Sequence, residues 1–271
     1  MPLSTSSLFH FTKKKRTIEE ILKQTFKVFY SFEKIKIGDI VHEAAYPMVS
    51  FCDIPLSEIK SHVKSYGHYG IGLYKKWGKN NHLNPVLYLE KDSSLAANYL
   101  NSYFRFLDLV STYPEIEEAT IGLIDVLRYT KNFEGTLERK NQNPKKNYRF
   151  SDEREWRYVP SFLLARGIIR KDEYELLKDK LNENIDHLRL SFSADDIKYI
   201  IVKKESEINP ILNKIADIKG PIQSPEIVER LKSRVITSEQ ILSDNTSIMK
   251  KIEAFAWITF AIGLLGFLFI K

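Results

Sequence analysis

Two spacings of apolar residues alternate along the chain. Leu8-Phe9-His10-Phe11-Thr12 and Tyr46-Pro47-Met48-Val49-Ser50-Phe51-Cys52 are apolar runs of strand length. Ile54-Pro55 ends the second, and Leu56, Ile59, Val63 and Tyr66 then recur at helical spacing up to Gly67, a helix stop. Asn84-Pro85-Val86-Leu87-Tyr88-Leu89 reads as a further strand, followed by helical segments over 94–110 and 115–130. A charged helix is predicted over 171–184 and a late strand over 196–202. Ser224-Pro225 has the form of an N-cap and first turn for a helix over 226–233. Near the N-terminus, Thr17-Ile18-Glu19-Glu20 has the capping-box pattern and starts a helix through Ile21, Leu22 and Phe26. Strands and helices in this order, with no internal repeat, predict one soluble α+β domain over residues 1–245.

One predicted strand departs from the apolar rule. Ser151-Asp152-Glu153-Arg154-Glu155-Trp156-Arg157-Tyr158, if extended, sets Glu153, Glu155 and Arg157 on one face and Arg154, Trp156 and Tyr158 on the other. Two carboxylates side by side near a core carry a desolvation cost. They read either as a pair held for chemistry or as an edge strand whose glutamates pair with Arg154, Arg157 or lysines elsewhere. A basic segment over 139–149 leads into this strand, with Pro144 as a breaker, and is either a loop beside an active site or a solvated one. Upstream, Tyr66-Gly67-His68-Tyr69-Gly70-Ile71-Gly72-Leu73 sets three glycines among aromatics. That spacing lets backbone approach something closely, and Tyr66 or Tyr69 offers a flat stacking face. It matches neither the dinucleotide-binding glycine turn nor a P-loop.

The formal charge of +6 permits contact with phosphates or an anionic surface without demanding it. Basic residues are not interleaved with aromatics in any one stretch, so nucleic acid is not indicated. Lys13-Lys14-Lys15-Arg16 is a solvated turn or, at a helix N-terminus, help in holding a phosphate. Cys52 is the single cysteine, which excludes a disulfide framework within the chain and predicts core packing. His62 and His68 have no carboxylate at ligand spacing between them, so no metal site is predicted. From Ala254 to Ile270, Thr259 is the one polar side chain. This run predicts a C-terminal single-pass membrane anchor over 252–271, after a linker at 246–251. Lys250 and Lys251 place the soluble domain on the cytoplasmic side.

Leu8-Phe9-His10-Phe11-Thr12, Pro47-Met48-Val49-Ser50-Phe51-Cys52-Asp53-Ile54-Pro55-Leu56, the Gly/Tyr stretch at 66–73 and Asn84-Pro85-Val86-Leu87-Tyr88 together resemble the AbiGi family of abortive-infection proteins. The resemblance implies a bacterial phage-defence role, as the antitoxin-like partner of a nucleotidyltransferase toxin called AbiGii. The order of the pieces is also similar to the distant ADP-ribosyltransferase group, which implies a single domain with a split central sheet and NAD as substrate. By that resemblance His10, with Thr12 beside it, contacts a ribose of NAD, and Ser50 sits on the middle strand. Tyr66 or Tyr69 stacks on nicotinamide. Glu155 is the catalytic carboxylate, and Glu153 orients or deprotonates the acceptor. A carboxylate so placed stabilises the oxocarbenium-like cation formed as the glycosidic bond breaks. Phe11 departs from the tyrosine that follows the histidine in that group. Two functions stay open: a membrane-anchored, NAD-consuming ADP-ribosyltransferase or NAD glycohydrolase, and a non-catalytic antitoxin or sensor that controls a partner toxin. In the second, Glu153, Arg154, Glu155 and Arg157 form an ion-pair network and His10 is a core histidine.

Overall fold

The computed structural model describes residues 5–138 and 143–243. The chain begins with β1 (Ser7–Thr12), α1 (Lys15–Gln24), β2 (Phe26–Lys27), β3 (Phe29–Ile37) and β4 (Ile40–Cys52). Next come α2 (Lys60–Tyr66), β5 (Tyr69–Tyr74), α3 (Lys75–Asn80), β6 (Asn84–Pro85) and β7 (Leu87–Leu89). A helical hairpin, α4 (Ser94–Leu109) and α5 (Glu117–Arg128), leads to β8 (Thr130–Asn132), β9 (Glu134–Leu137), β10 (Lys145–Arg149) and β11 (Glu155–Tyr158). The last part holds β12 (Ile169–Arg170), α6 (Lys171–Asn184), β13 (Arg189–Leu190), β14 (Ile197–Val202), α7 (Ile208–Lys219), α8 (Pro225–Lys232) and β15 (Val235–Thr237).

A nine-stranded sheet forms the centre, in the order β15-β14-β5-β1-β4-β11-β6, with β3 and β12 also paired to β4. The expected split sheet is thereby corrected, and the reason is the length of β4. Its first nine residues pair with β3 in a hairpin turned at Gly38, which has a φ of 56° that suits glycine. Its last four pair with β11, from Val49 against Tyr158 to Cys52 against Glu155, and Cys52 also faces Phe9 of β1. One unbroken strand thus joins what a split sheet would separate. The expected close approach at the glycines is made to the protein's own sheet. A Cβ on Gly72 of β5 would lie 2.7 Å from the ring of Phe9 on β1, so glycine makes room for that ring.

Apolar faces close over the sheet in three groups. Ile18 and Leu22 of α1, with Ile211 and Ile215 of α7, pack on Leu8, Ile71 and Leu73. Leu100 of α4 and Leu127 of α5 cover Ile35, Ala44 and Tyr46. Val63 of α2 packs with Phe9, Ile54 and Ile201. Gly67 ends α2 as expected, and Ser224 caps α8 by accepting from the Ile227 N–H. The predicted capping box of α1 does not form: the helix starts earlier, at Lys15, and its N-cap Lys14 makes no side-chain cap. It also stops at Gln24, because Thr25 turns to a φ of 66° and sends Phe26 into β2.

The expected C-terminal transmembrane helix and membrane localisation are corrected too. Among the described residues no helix is long and apolar enough to cross a membrane. The longest, α4, has 16 residues where a span needs about 20. Residues 246–251 and 252–271, the predicted linker and anchor, lie outside the described residues.

Candidate functional site

The glutamate stretch folds as a turn and then a strand. Phe150–Glu153 form a 3-10 turn, Arg154 takes the left-handed conformation (φ 46°, ψ 49°), and pairing begins only at Glu155. Glu153, Glu155 and Arg157 are nevertheless all buried. Across the register Arg157 faces Ser50 of β4, and the Ser50 hydroxyl donates to Glu155 Oε1 at 2.7 Å.

A single ammonium group holds both carboxylates. Lys131 Nζ on β8 lies 2.8 Å from Glu153 Oε2 and 3.0 Å from Glu155 Oε2. Its neighbour Asn132 fixes that strand by donating to and accepting from the backbone of Lys36 on β3. Arg157, fully buried, donates from Nε to Glu155 Oε1 at 2.7 Å and from Nη1 to the Arg128 carbonyl at 2.8 Å. Its Nη2 lies 3.2 Å from Glu33 Oε1. Tyr66 and Tyr148 both donate their hydroxyls to Glu153 Oε1, and Tyr88 accepts from the Glu155 N–H.

Burial by itself would raise the Glu155 carboxyl, but Arg157, Lys131 and the Ser50 hydroxyl outweigh it and hold it far below the usual carboxylate range. Burial would likewise lower Lys131, and Glu155, Glu33 and Glu153 reverse this and hold the ammonium charged. Desolvation, with Glu153 next to it, pushes the Tyr66 phenol far up, so it stays a donor. Glu155, Lys131 and Arg157 are therefore held ionised at neutral pH, with the carboxylates of Glu33 and Glu153 against the two cations.

A cavity of about 250 Å³ opens beside this cluster and brings together most of the sequence-predicted residues: His10, Ser50, Tyr66, Glu153 and Glu155 all line it. Cys52 also lines it, its thiol pushed well up by burial. His10 Nδ1 is 2.9 Å from the Ser50 carbonyl, which can only accept, so Nδ1 carries the proton. Burial outweighs that bond and lowers the His10 pKa, leaving the ring neutral. Phe26 and Phe51 pack edge-on against it. His10, Ser31, Met48 and Ser50 also line an open basin of about 1250 Å³ on the neighbouring side.

Two predicted residues stand elsewhere. Thr12 ends β1, where its hydroxyl accepts from the Lys14 N–H and its carbonyl packs against Gly67. Tyr69 donates to Glu207, which with burial raises its phenol to about 12. The stacking candidate in the cavity is therefore Tyr66, already bonded to Glu153. Sequence reasoning missed Lys131, Glu33, Tyr88 and Tyr148, which lie on β8, β3, β7 and β10 and whose approach to Glu153, Glu155 and Arg157 no local pattern reveals.

The model of the family described as "putative abortive phage resistance protein AbiGi, antitoxin" matches residues 19–203. A protein of Lactococcus lactis subsp. cremoris named abortive phage resistance protein AbiGi is 31% identical over 225 residues, covering 73% of this chain and 88% of its own length. No solved structure matches the chain. The expected ADP-ribosyltransferase-like fold is corrected accordingly: the architecture is a mixed α+β domain with a nine-stranded sheet and, among the described residues, three two-stranded ones, β10-β9, β13-β2 and β7-β8.

Proposed function

Because the chain belongs to the AbiGi family of abortive phage resistance proteins, we propose that within that anti-phage role it acts as an antitoxin, binding and restraining a partner toxin without chemistry of its own. The family description supports the antitoxin part. The observation that carries the non-catalytic part is the pairing of both carboxylates: Lys131 spans Glu153 and Glu155, and Arg157 takes the other oxygen of Glu155. A carboxylate that stabilises a developing cation has to offer it uncompensated charge. Here that charge is already met inside the fold, and bringing it to a substrate would mean breaking two buried ion pairs.

The test is a titration of an AbiGii-type toxin's activity with the full chain, with and without NAD. Inhibition is expected to end at one equivalent and to ignore NAD. Inhibition at far below one equivalent that needs NAD would contradict the proposal.

One observation favours a second reading, a domain that binds or consumes NAD. His10, Ser50, Tyr66 and Glu155 share one cavity, the set that such a reading requires. In that reading Tyr66 stacks on the ring, neutral His10 meets a ribose hydroxyl, and Ser50 orients Glu155. Glu155 would then have to exchange Lys131 or Arg157 for the ligand as it binds.

A further inference from the structure

The edge of the sheet at β6 carries a second groove, away from the carboxylate cavity. It has a volume of about 570 Å³ and lies between the C-terminal half of α5 and the segment after β11, lined by Leu87, Val126, Tyr129, Tyr158, Pro160 and Leu164. Its two walls are fixed to each other. Arg128, 1% exposed, donates to Asp125 at 2.7 Å on one wall and to the Pro160 carbonyl on the other, and its guanidinium stacks 4.4 Å from the Phe162 ring. His82, Asn84, Asp125 and Ser161 also line the groove, and its apolar part is open: Leu87 is 47% exposed, Leu164 52% and Leu163, next to it, 96%. Isolated exposed leucines need no explanation, but several around one rigid groove mark a contact surface.

Charge indicates what fits there. The exposed side of α5 running away from the groove carries Glu117, Glu118, Ile121 and Asp125 at helical spacing, and Glu115 and Asp108 lie just before it. Against these the α4–α5 hairpin sets Arg105 and the buried Arg128, in a chain whose overall charge is +6. This face is therefore a local acidic region with an apolar groove at its end. We propose that the α5–β6 groove is the docking surface for a partner protein that inserts apolar side chains flanked by lysines and arginines. The proposal rests on the antitoxin reading and names the face that reading uses.

The test compares the full-length chain with the double variant Val126→Lys, Leu164→Lys. Both positions are exposed, and retention of the wild-type melting curve verifies the fold. Binding to a purified AbiGii-type toxin is followed by calorimetry at low and high salt. The expected result is a wild-type affinity that falls as salt rises and a double variant at least about tenfold weaker. Equal affinity of variant and wild type would overturn the proposal while leaving the antitoxin reading intact. No binding by the wild type would overturn the antitoxin reading, and this proposal with it. If the chain alone sediments as a dimer that the double variant splits, the groove serves a second copy of the chain, and the proposal also fails.

Discussion

At the scale of single residues, the site turns on Lys131. It is one cation shared by two buried carboxylates, Glu153 and Glu155. Lys131→Met keeps the length of the side chain and removes its charge, leaving the two carboxylates under-compensated. A loss of about 3–5 kcal/mol is expected, the range for breaking a buried pair from one side, and urea denaturation at neutral pH measures it. Much of the cluster could be read from the sequence, because Glu153, Glu155 and Arg157 stand at alternate positions and all three are buried. What could not be read is which ion answers them. Lys131 lies 22 and 24 residues before the two glutamates, and only the fold brings it there. The sequence left chemistry and an internal ion-pair network both open, and the position of this lysine is what separates them.

Among the elements, the junction between α2 and β5 governs how the cavity closes. Gly67 has a φ of 115°, and a Cβ there would sit 2.2 Å from the Thr12 carbonyl on β1. Gly67→Ala therefore strains the backbone and pushes α2 away from β1, carrying Tyr66 off Glu153. The expected cost is at least about 1–3 kcal/mol from the backbone alone, seen as a lower melting temperature. A melting curve equal to wild type would show that the junction yields freely. Helix ends with a clear signal, such as the stop of α2 at Gly67 and the start of α8 at Ser224, are legible because one residue decides the boundary. The start of β11 is not, since a left-handed Arg154 can be adopted by an arginine that the surrounding fold holds there, with no glycine to signal it. β3 was hidden for another reason: past Tyr30 its buried residues are only Ile35 and Ile37, spaced among lysines and a glutamate that read as surface.

For the molecule as a whole, the two cavities are lined by different residues. On β1, β4 and β11 a cavity is lined by aromatic rings and by the ion-paired Lys131, Glu153 and Glu155. At the β6 edge an open apolar groove adjoins an acidic helix. In the first region Glu153 and Glu155 are ion-paired within the fold, and the second presents exposed leucines at one end of a helix that carries exposed Glu117 and Glu118, the arrangement on which the antitoxin reading rests. The measurement that bears most directly on this is nicotinamide release from NAD by the purified full-length chain, run beside Glu155→Gln, a substitution that keeps shape and removes charge. The expected result is release no faster than in buffer for either protein. Release by the wild type that disappears in Glu155→Gln would contradict it, because Glu155 would then be free to meet a cation despite Lys131 and Arg157.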